Sequence, residues 1–419
     1  MDVELGADQD ADQREAGGVV TRTAAETAGG GAQSSMRRVG RIGGDMLPIV
    51  IGLVIVWTYF EIASSDFLSA RNLSNLLVQI SSTGIITIGI VLILIIGEID
   101  LSVGSVAGVT GAVLALGLVQ GFPWWVSIIA MLAVGAGVGL IQGGWIVLFG
   151  VPSFIATLAG LLGLYGLQLY LIQTQNADAI LVLERYIDDI TTTYVPSAYA
   201  WGAAVLIVVG NGALKMRRVR RHRRAGLTTQ GGLETVVRFT VVSVALLAAT
   251  AVLSSYRGVP TAAILFVGLV SIFAWIGTTT PFGRYLYAIG GNANAARRAG
   301  INVKRIRLIV FMLSGTLAAV GGLVAVSNLD AVDTTIGGGT LLLEAIAAAV
   351  IGGVSLFGGR GSLWAAFFGS LVIGSVANGL DLTGSPSTVK YMVEGLILLI
   401  AVTADVASRR GHLFHHAAG

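Results

Sequence analysis

Apolar runs of roughly bilayer-crossing length constrain this chain more than any other feature. Twelve such runs follow one another between residues 46 and 405, and most approach the ~20 residues that a helix needs to cross a membrane. Charged residues make up only 12% of the chain, about half the share in a soluble globular protein, which is too few to cover a water-facing surface of this size. The sequence predicts an all-α, polytopic transmembrane helical bundle.

The predicted bundle contains 10 to 12 membrane-spanning helices. The candidate spans are residues 46–63, 73–97, 102–120, 124–150, 152–173, 198–214, 233–254, 260–279, 306–326, 341–357, 363–380 and 389–405. The runs 73–120 and 341–380 are nearly continuous, and each is broken only by a short glycine-containing segment, at 97–100 and at 358–361. Each break is either a turn between two crossings or a re-entrant segment, and the sequence leaves both alternatives open.

The distribution of Lys and Arg predicts the orientation. If the N-terminus lies inside, only Arg71, Arg185, Arg257 and Lys390 of the 26 basic residues fall on the outer side. An excess of basic residues on the cytoplasmic side is the usual pattern of membrane proteins. We therefore expect a multi-pass protein of the plasma (inner) membrane with both termini in the cytoplasm.

The two ends of the chain are predicted to lie outside the membrane. Residues 1–45 contain few large apolar side chains, and such a segment cannot bury enough surface to offset the entropy lost on ordering. We expect a disordered cytoplasmic tail over 1–45, a membrane domain over 46–405 and a cytoplasmic C-terminal tail over 406–419.

The densest basic run, Lys215–Arg224, falls in a predicted cytoplasmic loop at residues 215–232. Basic residues beside a span fix its orientation and attract anionic lipid headgroups. A nucleic-acid partner would require an aromatic or structural context that this run lacks. We therefore expect membrane lipid, and not nucleic acid, as the partner here.

The largest predicted outer segment, residues 174–197, is mildly acidic because it contains Asp178, Glu184, Asp188 and Asp189. Two alternatives remain for it. It is either part of a docking surface for an external partner or a plain solvated loop.

Several kinds of chemistry are excluded by what the sequence lacks. It has no cysteine, its four histidines lie in basic or terminal segments, and it contains no H-E-x-x-H motif, so neither a metal site nor an intramembrane enzyme is predicted. It also lacks the G-x-x-x-x-G-K-[ST] loop that cradles ATP phosphates. We predict no catalytic residue, metal ligand or cofactor in this chain.

The predicted cytoplasmic loop 280–305 contains the most informative segment. Asn292 is a favoured N-cap residue, residues 293–299 are mostly strong helix formers, and Gly300 fits the position just after a helix. The pattern predicts a short capped helix at the membrane surface. Such a helix is either an ordinary loop helix or one that inserts into a groove on a soluble partner.

Three segments resemble the permease subunits of ABC sugar importers, the group that serves ribose, xylose and related pentoses. They are PFGRYLYAIGGNANAARRAGINV at 281–303, GEIDLSVG at 97–104 and IGGVSLFGGRG at 351–361. The resemblance runs in order from about residue 48 to residue 406, and Glu98 with the extra spans around 174–254 resembles the xylose branch. It implies a permease homodimer, two cytoplasmic ABC ATPase subunits that hold ATP and Mg²⁺, and an extracytoplasmic sugar-binding protein.

The resemblance also implies a role for the loop Arg284–Asn302, which would carry the motion of the ATPase into the membrane. The candidate ATPase-coupling residues are Gly290, Gly291, Asn292, Asn294, Arg297, Arg298 and Gly300. Arg297 and Arg298 either contact the ATPase or act as orientation anchors.

Glu98, Asp100 and Ser102 are candidates for the translocation path or its gate, because ionisable groups at membrane depth usually face protein or a water-filled cavity. The favoured alternative is a short cytoplasmic turn in which Asp100 or Ser102 caps the next helix. Gln79, Ser82 and Asn378 are polar residues within predicted spans. They either line the path or, as is commoner, form hydrogen bonds between helices.

The main rival function is a gradient-driven secondary sugar transporter. Such a protein is expected to place carboxylates near the centres of several spans, whereas most acidic residues here fall within a turn or two of a span end. Glu394, inside the last predicted span, is an exception for which pairing with a polar group or reaching the outer surface are the simplest explanations. The positions of the carboxylates thus disfavour that rival, and the resemblance implies an ATP-driven importer of a small sugar such as xylose.

Overall fold

The computed structural model describes residues 47–224 and 232–417, so the predicted tail over 1–45 lies outside the described residues. The chain divides into two units between Gly52 and Leu53. The second unit, which begins at Leu53, contains all the described helices except the start of the first one, which crosses that boundary.

The described residues are almost entirely helical. The helices are α1 (Leu47–Ala63), α2 (Ala70–Ile95), α3 (Val103–Val119), α4 (Trp124–Phe149), α5 (Ser153–Gln173), α6 (Arg185–Thr192), α7 (Ser197–Arg224), α8 (Gly232–Ser254), α9 (Thr261–Thr279), α10 (Pro281–Gly291), α11 (Ala293–Arg298), α12 (Val303–Leu329), α13 (Thr334–Gly337), α14 (Thr340–Ile351), α15 (Ala365–Leu382) and α16 (Ser387–Ala417). Four short strands lie between them, β1 (Ala179–Leu181), β2 (Tyr194–Val195), β3 (Val259–Pro260) and β4 (Ala331–Asp333).

Each of the twelve predicted spans overlaps one helix, which confirms the all-α polytopic bundle. Within the described residues, seven helices are long and apolar enough to cross a membrane, and the apolar stretches 48–63, 103–119, 239–254 and 340–351 are shorter. Helix α14, with 12 residues, extends only about 18 Å at 1.5 Å per residue. Both α3 and α14 adjoin the glycine-containing breaks, so their shortness reflects irregular backbone at those positions.

Two helices form the centre of the packing. Nearly all of α2 is buried inside the protein, and two thirds of α12 is buried with it. In contrast, less than a quarter of the most apolar stretch of α4, α5 or α7 is buried. An apolar helix that is not covered by protein suits a lipid environment, so these helices form the face toward the membrane.

Glycines allow α4 to pack closely on α12. A methyl group at Gly139 would overlap the carbonyl group of Phe311, and one at Gly135 would overlap that of Gly315. Small residues at such spacing let two backbones approach in a membrane protein. Gly135 and Gly139 therefore serve close packing between the two helices.

The segment 174–197 is not a plain solvated loop. Strand β1 pairs with β4 in antiparallel register, Ala179 opposite Asp333, and β2 pairs with β3. Helix α6 buries Ile187, and the Thr191 hydroxyl lies 2.8 Å from that of Ser327 at the end of α12. This segment is therefore packed on the ends of the long helices, and its proposed docking role stays a prediction.

Helices continue into two segments predicted to lie in the cytoplasm. Helix α7 runs on through the basic residues to Arg224, so the described part of the predicted loop 215–232 begins as helix. Helix α16 extends from Ser387 to Ala417 and so includes most of the predicted C-terminal tail. The apolar pattern ends before the helix does in both places, which is why the sequence indicated an earlier end.

Candidate coupling junction and translocation residues

The three segments that the sequence singled out meet at one end of the buried helices. The amide of Gly359 donates to the carbonyl of Ile95 at 2.9 Å, which joins the loop after α14 to the end of α2. A methyl group at Gly290 in α10 would overlap both Ile95 O and Gly359 N. We call this meeting of residues 95–104, 281–300 and 352–361 the junction.

The first side of the junction is the end of α2, which closes with a Schellman motif. Gly97 adopts φ +77°, and the Glu98 amide donates back to Ile93 O at 3.1 Å. The Glu98 carboxylate then pairs with Arg307 in the second turn of α12, with 2.7 Å between Oε1 and Nη2. The Glu98 side chain is only 11% exposed, so this ion pair fixes the loop to α12.

Asp100 is buried and binds both the start of α3 and α12. Its Oδ1 accepts from the backbone amide of Ser102 at 2.9 Å, and its Oδ2 accepts from the Ser314 hydroxyl at 3.1 Å. Ser102 is the N-cap residue, but its side chain forms no capping hydrogen bond; its Oγ lies 2.9 Å from Gln142 Oε1. Ser102 thus occupies the predicted N-cap position without a side-chain cap, and Asp100 binds α12 in addition to the Ser102 amide.

The loop between α2 and α3 enters the interior of the protein. Ser314 lies seven residues beyond Arg307 in α12, a rise of about 10 Å. Since Glu98 binds Arg307 and Asp100 binds Ser314, the two carboxylates lie at different depths. Irregular backbone at membrane depth is tolerated only where protein or a water-filled cavity surrounds it, and this loop meets that condition.

The second side of the junction is α10. The Tyr287 hydroxyl donates to Gly361 O at 2.9 Å. Burial raises the pKa of Tyr287, so the hydroxyl keeps its proton and remains a donor. Gly358, Gly359 and Gly361 adopt φ values of +85°, +74° and +134°, which only glycine adopts without cost.

The predicted short helix is confirmed as α11. The Asn292 side chain accepts from the Ala295 amide at 2.9 Å, and Gly300 adopts φ +84° just after the helix. One face of α11 buries Ala296, while Asn294, Arg297 and Arg298 are exposed. The helix therefore presents a basic polar surface next to the junction.

The other candidate path residues do not gather at one place. Asn378 in α15 donates to Gln79 Oε1 at 3.2 Å and accepts from Asn72 at 2.7 Å, so these side chains connect α15 to α2. Ser82 donates to Gly321 O at 2.9 Å, between α2 and α12. These contacts are interhelical hydrogen bonds, the commoner of the two predicted roles.

A cavity of about 400 Å³ lies elsewhere, between α14 and α16. Helix α14 contributes Thr340 and Glu344 to its wall, and α16 contributes Tyr391 and Glu394. Glu344 Oε2 accepts from the Thr83 hydroxyl at 3.1 Å. None of the six predicted path residues lines this cavity.

The sequence did not single out several residues of the junction and of the cavity. Arg307 is a basic residue just inside the predicted span 306–326, and a charged residue at such a position usually has a polar or charged partner. Glu344 stands inside the predicted span 341–357 and carried the same signal. Ser314 and Gln142 had no signal, because small polar residues in a span are indistinguishable from packing residues before the fold is known.

Comparison with a protein-family model identifies residues 72–402 as a branched-chain amino acid transport system / permease component. The match covers the junction, the cavity and all the long helices except α1. The chain belongs to this permease family. It is a multi-pass membrane permease, and the family recognition made from the three segments is confirmed.

The permease is similar to curated proteins that are named as xylose or ribose permeases. It is 38% identical over 366 residues to the xylose transport system permease protein of Escherichia coli strain K12. The aligned residues cover 87% of this chain and 92% of the relative. The corresponding protein of Haemophilus influenzae is 36% identical, covering 86% and 96%. The ribose import permease protein of Escherichia coli strain K12 is 32% identical, covering 85% and 92%. No solved structure matches the permease.

Proposed function

We propose that this permease is the membrane-spanning subunit of an ATP-driven importer that carries a small sugar, a pentose such as xylose, across the plasma membrane. The observation that carries the proposal is the contact of α10, which leads directly into α11, with the two glycine-containing loops. A movement of α11 is transmitted to α2, α12 and α14 through Gly290, Tyr287 and the Glu98–Arg307 pair.

The choice of sugar over amino acid rests on the relatives. The family description names branched-chain amino acids, but the relatives that align over most of the chain are named for xylose and ribose. Identity is higher to the xylose proteins, at 36–38%, than to the ribose protein, at 32%. This difference favours xylose.

The partners follow from the division of labour. The chain has no ATP-binding loop, so hydrolysis of ATP with Mg²⁺ belongs to separate cytoplasmic ABC ATPase subunits. An extracytoplasmic sugar-binding protein delivers the sugar, and a second copy of the permease completes the path as a homodimer. The helical basic residues of α7 lie against anionic membrane lipid, and both termini are cytoplasmic.

The coupling role of α11 can be tested by reversing its exposed charges. In a tagged permease extracted gently from native membranes, an ATPase subunit with a Walker A loop should co-purify stoichiometrically. The double variant Arg297→Glu/Arg298→Glu should reduce that recovery at least tenfold, because carboxylates then replace the basic groups that are proposed to contact the ATPase.

A matched control reverses two exposed bases on another helix, Arg217→Glu/Arg220→Glu in α7. This variant should retain the ATPase. Equal recovery of the ATPase with both variants would overturn the coupling role of α11. Recovery of the permease alone, with uptake that an uncoupler abolishes, would support the gradient-driven transporter instead.

A further inference from the structure

The cavity between α14 and α16 has the size of a small-molecule site. Its volume of about 400 Å³ lies within the roughly 300–1,000 Å³ of ligand pockets. One wall is apolar, with Leu343 on α14 and Leu398 on α16, and polar groups project from the same two helices. An apolar wall with a few polar groups is the usual composition of a site that binds and orients a ligand.

One of the two glutamates of this cavity has a carboxylate oxygen without a partner. Glu344 Oε2 accepts from Thr83, whereas Glu394 Oε1 is buried and has no hydrogen-bond partner within the described part of the chain. Lys390, one turn before Glu394, pairs with Asp381 at 3.3 Å. A buried polar atom without a partner is costly, so a ligand that donates hydrogen bonds would satisfy it.

We propose that this cavity binds a hydroxyl-rich neutral solute during transport, with Glu344 and Glu394 accepting hydrogen bonds from its hydroxyl groups. The proposal rests on the sugar-import function proposed for the permease and names the residues that contact the pentose. Hydroxyl-to-carboxylate hydrogen bonds are roughly twice as strong as neutral ones. The Tyr391 ring and Leu343 contact the C–H faces of the sugar.

The absence of cysteine from the sequence makes a labelling experiment possible. Leu343→Cys places a single thiol in the cavity wall, and Met392→Cys places one on α16, 73% exposed and outside the cavity. The complex with its ATPase and xylose-loaded binding protein is treated with a neutral maleimide during ATP turnover. Xylose should slow labelling at position 343 at least threefold and leave labelling at position 392 unchanged.

A second measurement addresses the carboxylate. Glu394→Gln should raise the KM for xylose uptake about tenfold, while the amount of ATPase subunit that co-purifies stays unchanged. Asp66→Asn, an exposed carboxylate between α1 and α2, is the control and should change neither value.

The outcomes separate this proposal from the function on which it rests. Equal protection at positions 343 and 392, or protection at neither, would overturn the cavity site if ATP-driven xylose uptake is intact. Unchanged KM in Glu394→Gln would overturn the role of that carboxylate. A wild-type complex that takes up no xylose with ATP would overturn the proposed function, and the cavity assignment with it.

Discussion

Gly290 is the residue at which the junction is most tightly packed. The space for a side chain there is filled by the carbonyl oxygen of Ile95 and the amide of Gly359. Both neighbours are backbone atoms, so no rotation of a side chain can make room. The lack of a side chain at Gly290 therefore allows α10 to approach the end of α2 this closely.

Gly290→Ala should lower the thermal midpoint of the purified permease and reduce uptake, because overpacking a filled site costs about 1–3 kcal/mol. The next residue provides a matched control, since a methyl group at Gly291 has no atom within 4 Å. Gly291→Ala should leave the midpoint unchanged. Thermal unfolding of both variants in detergent is the measurement, and equal midpoints would contradict the packing described at the junction.

Individual contacts were the least predictable part of this protein. Asn292 and Gly300 were predicted correctly as the ends of α11, because capping depends on local backbone chemistry. For α3 the sequence favoured a cap by Asp100 or Ser102, but it did not indicate that Asp100 also binds Ser314, which is 214 residues away in the sequence. Local signals identify local geometry, whereas a contact between distant residues depends on how the helices pack.

At the scale of elements, the sequence indicated the helices well and their ends less well. Each predicted span matches one helix because a run of apolar residues near bilayer length has few other stable structures. The continuation of α7 to Arg224 was missed because the apolar pattern, and not the helix, ends near residue 214. Long basic side chains are good helix formers, so a helix continues through them into the aqueous phase.

The crossing of α4 and α12 predicts different effects on stability when two glycines of α4 are replaced by alanine. A methyl group at Gly139 would overlap the backbone of Phe311, whereas one at Gly137 meets nothing within 4 Å. Gly139→Ala should therefore destabilise the permease by about 1–3 kcal/mol. Gly137→Ala should be neutral or stabilising by up to about 1 kcal/mol, because alanine favours the helix. Thermal midpoints that fall equally in both variants would contradict this crossing.

At the scale of the whole molecule, the permease has an exposed basic helix at the junction and a separate cavity between α14 and α16. The two places are connected through α14, which ends in the loop that contacts Gly290 and carries Glu344 near its start. This connection is the physical basis for coupling a movement at α11 to the environment of a bound sugar. The sequence predicted the first place from its motifs, whereas the cavity became visible only when α14 and α16 were seen together.

ATP, and not an ion gradient, is proposed to drive sugar uptake through this permease. The most direct test is uptake of labelled xylose by proteoliposomes that contain the permease with its co-purifying ATPase and receive the sugar-binding protein from outside. Uptake that requires enclosed ATP and persists with an uncoupler is the predicted result. Uptake by the permease alone that an uncoupler abolishes would contradict the proposed ATP-driven import.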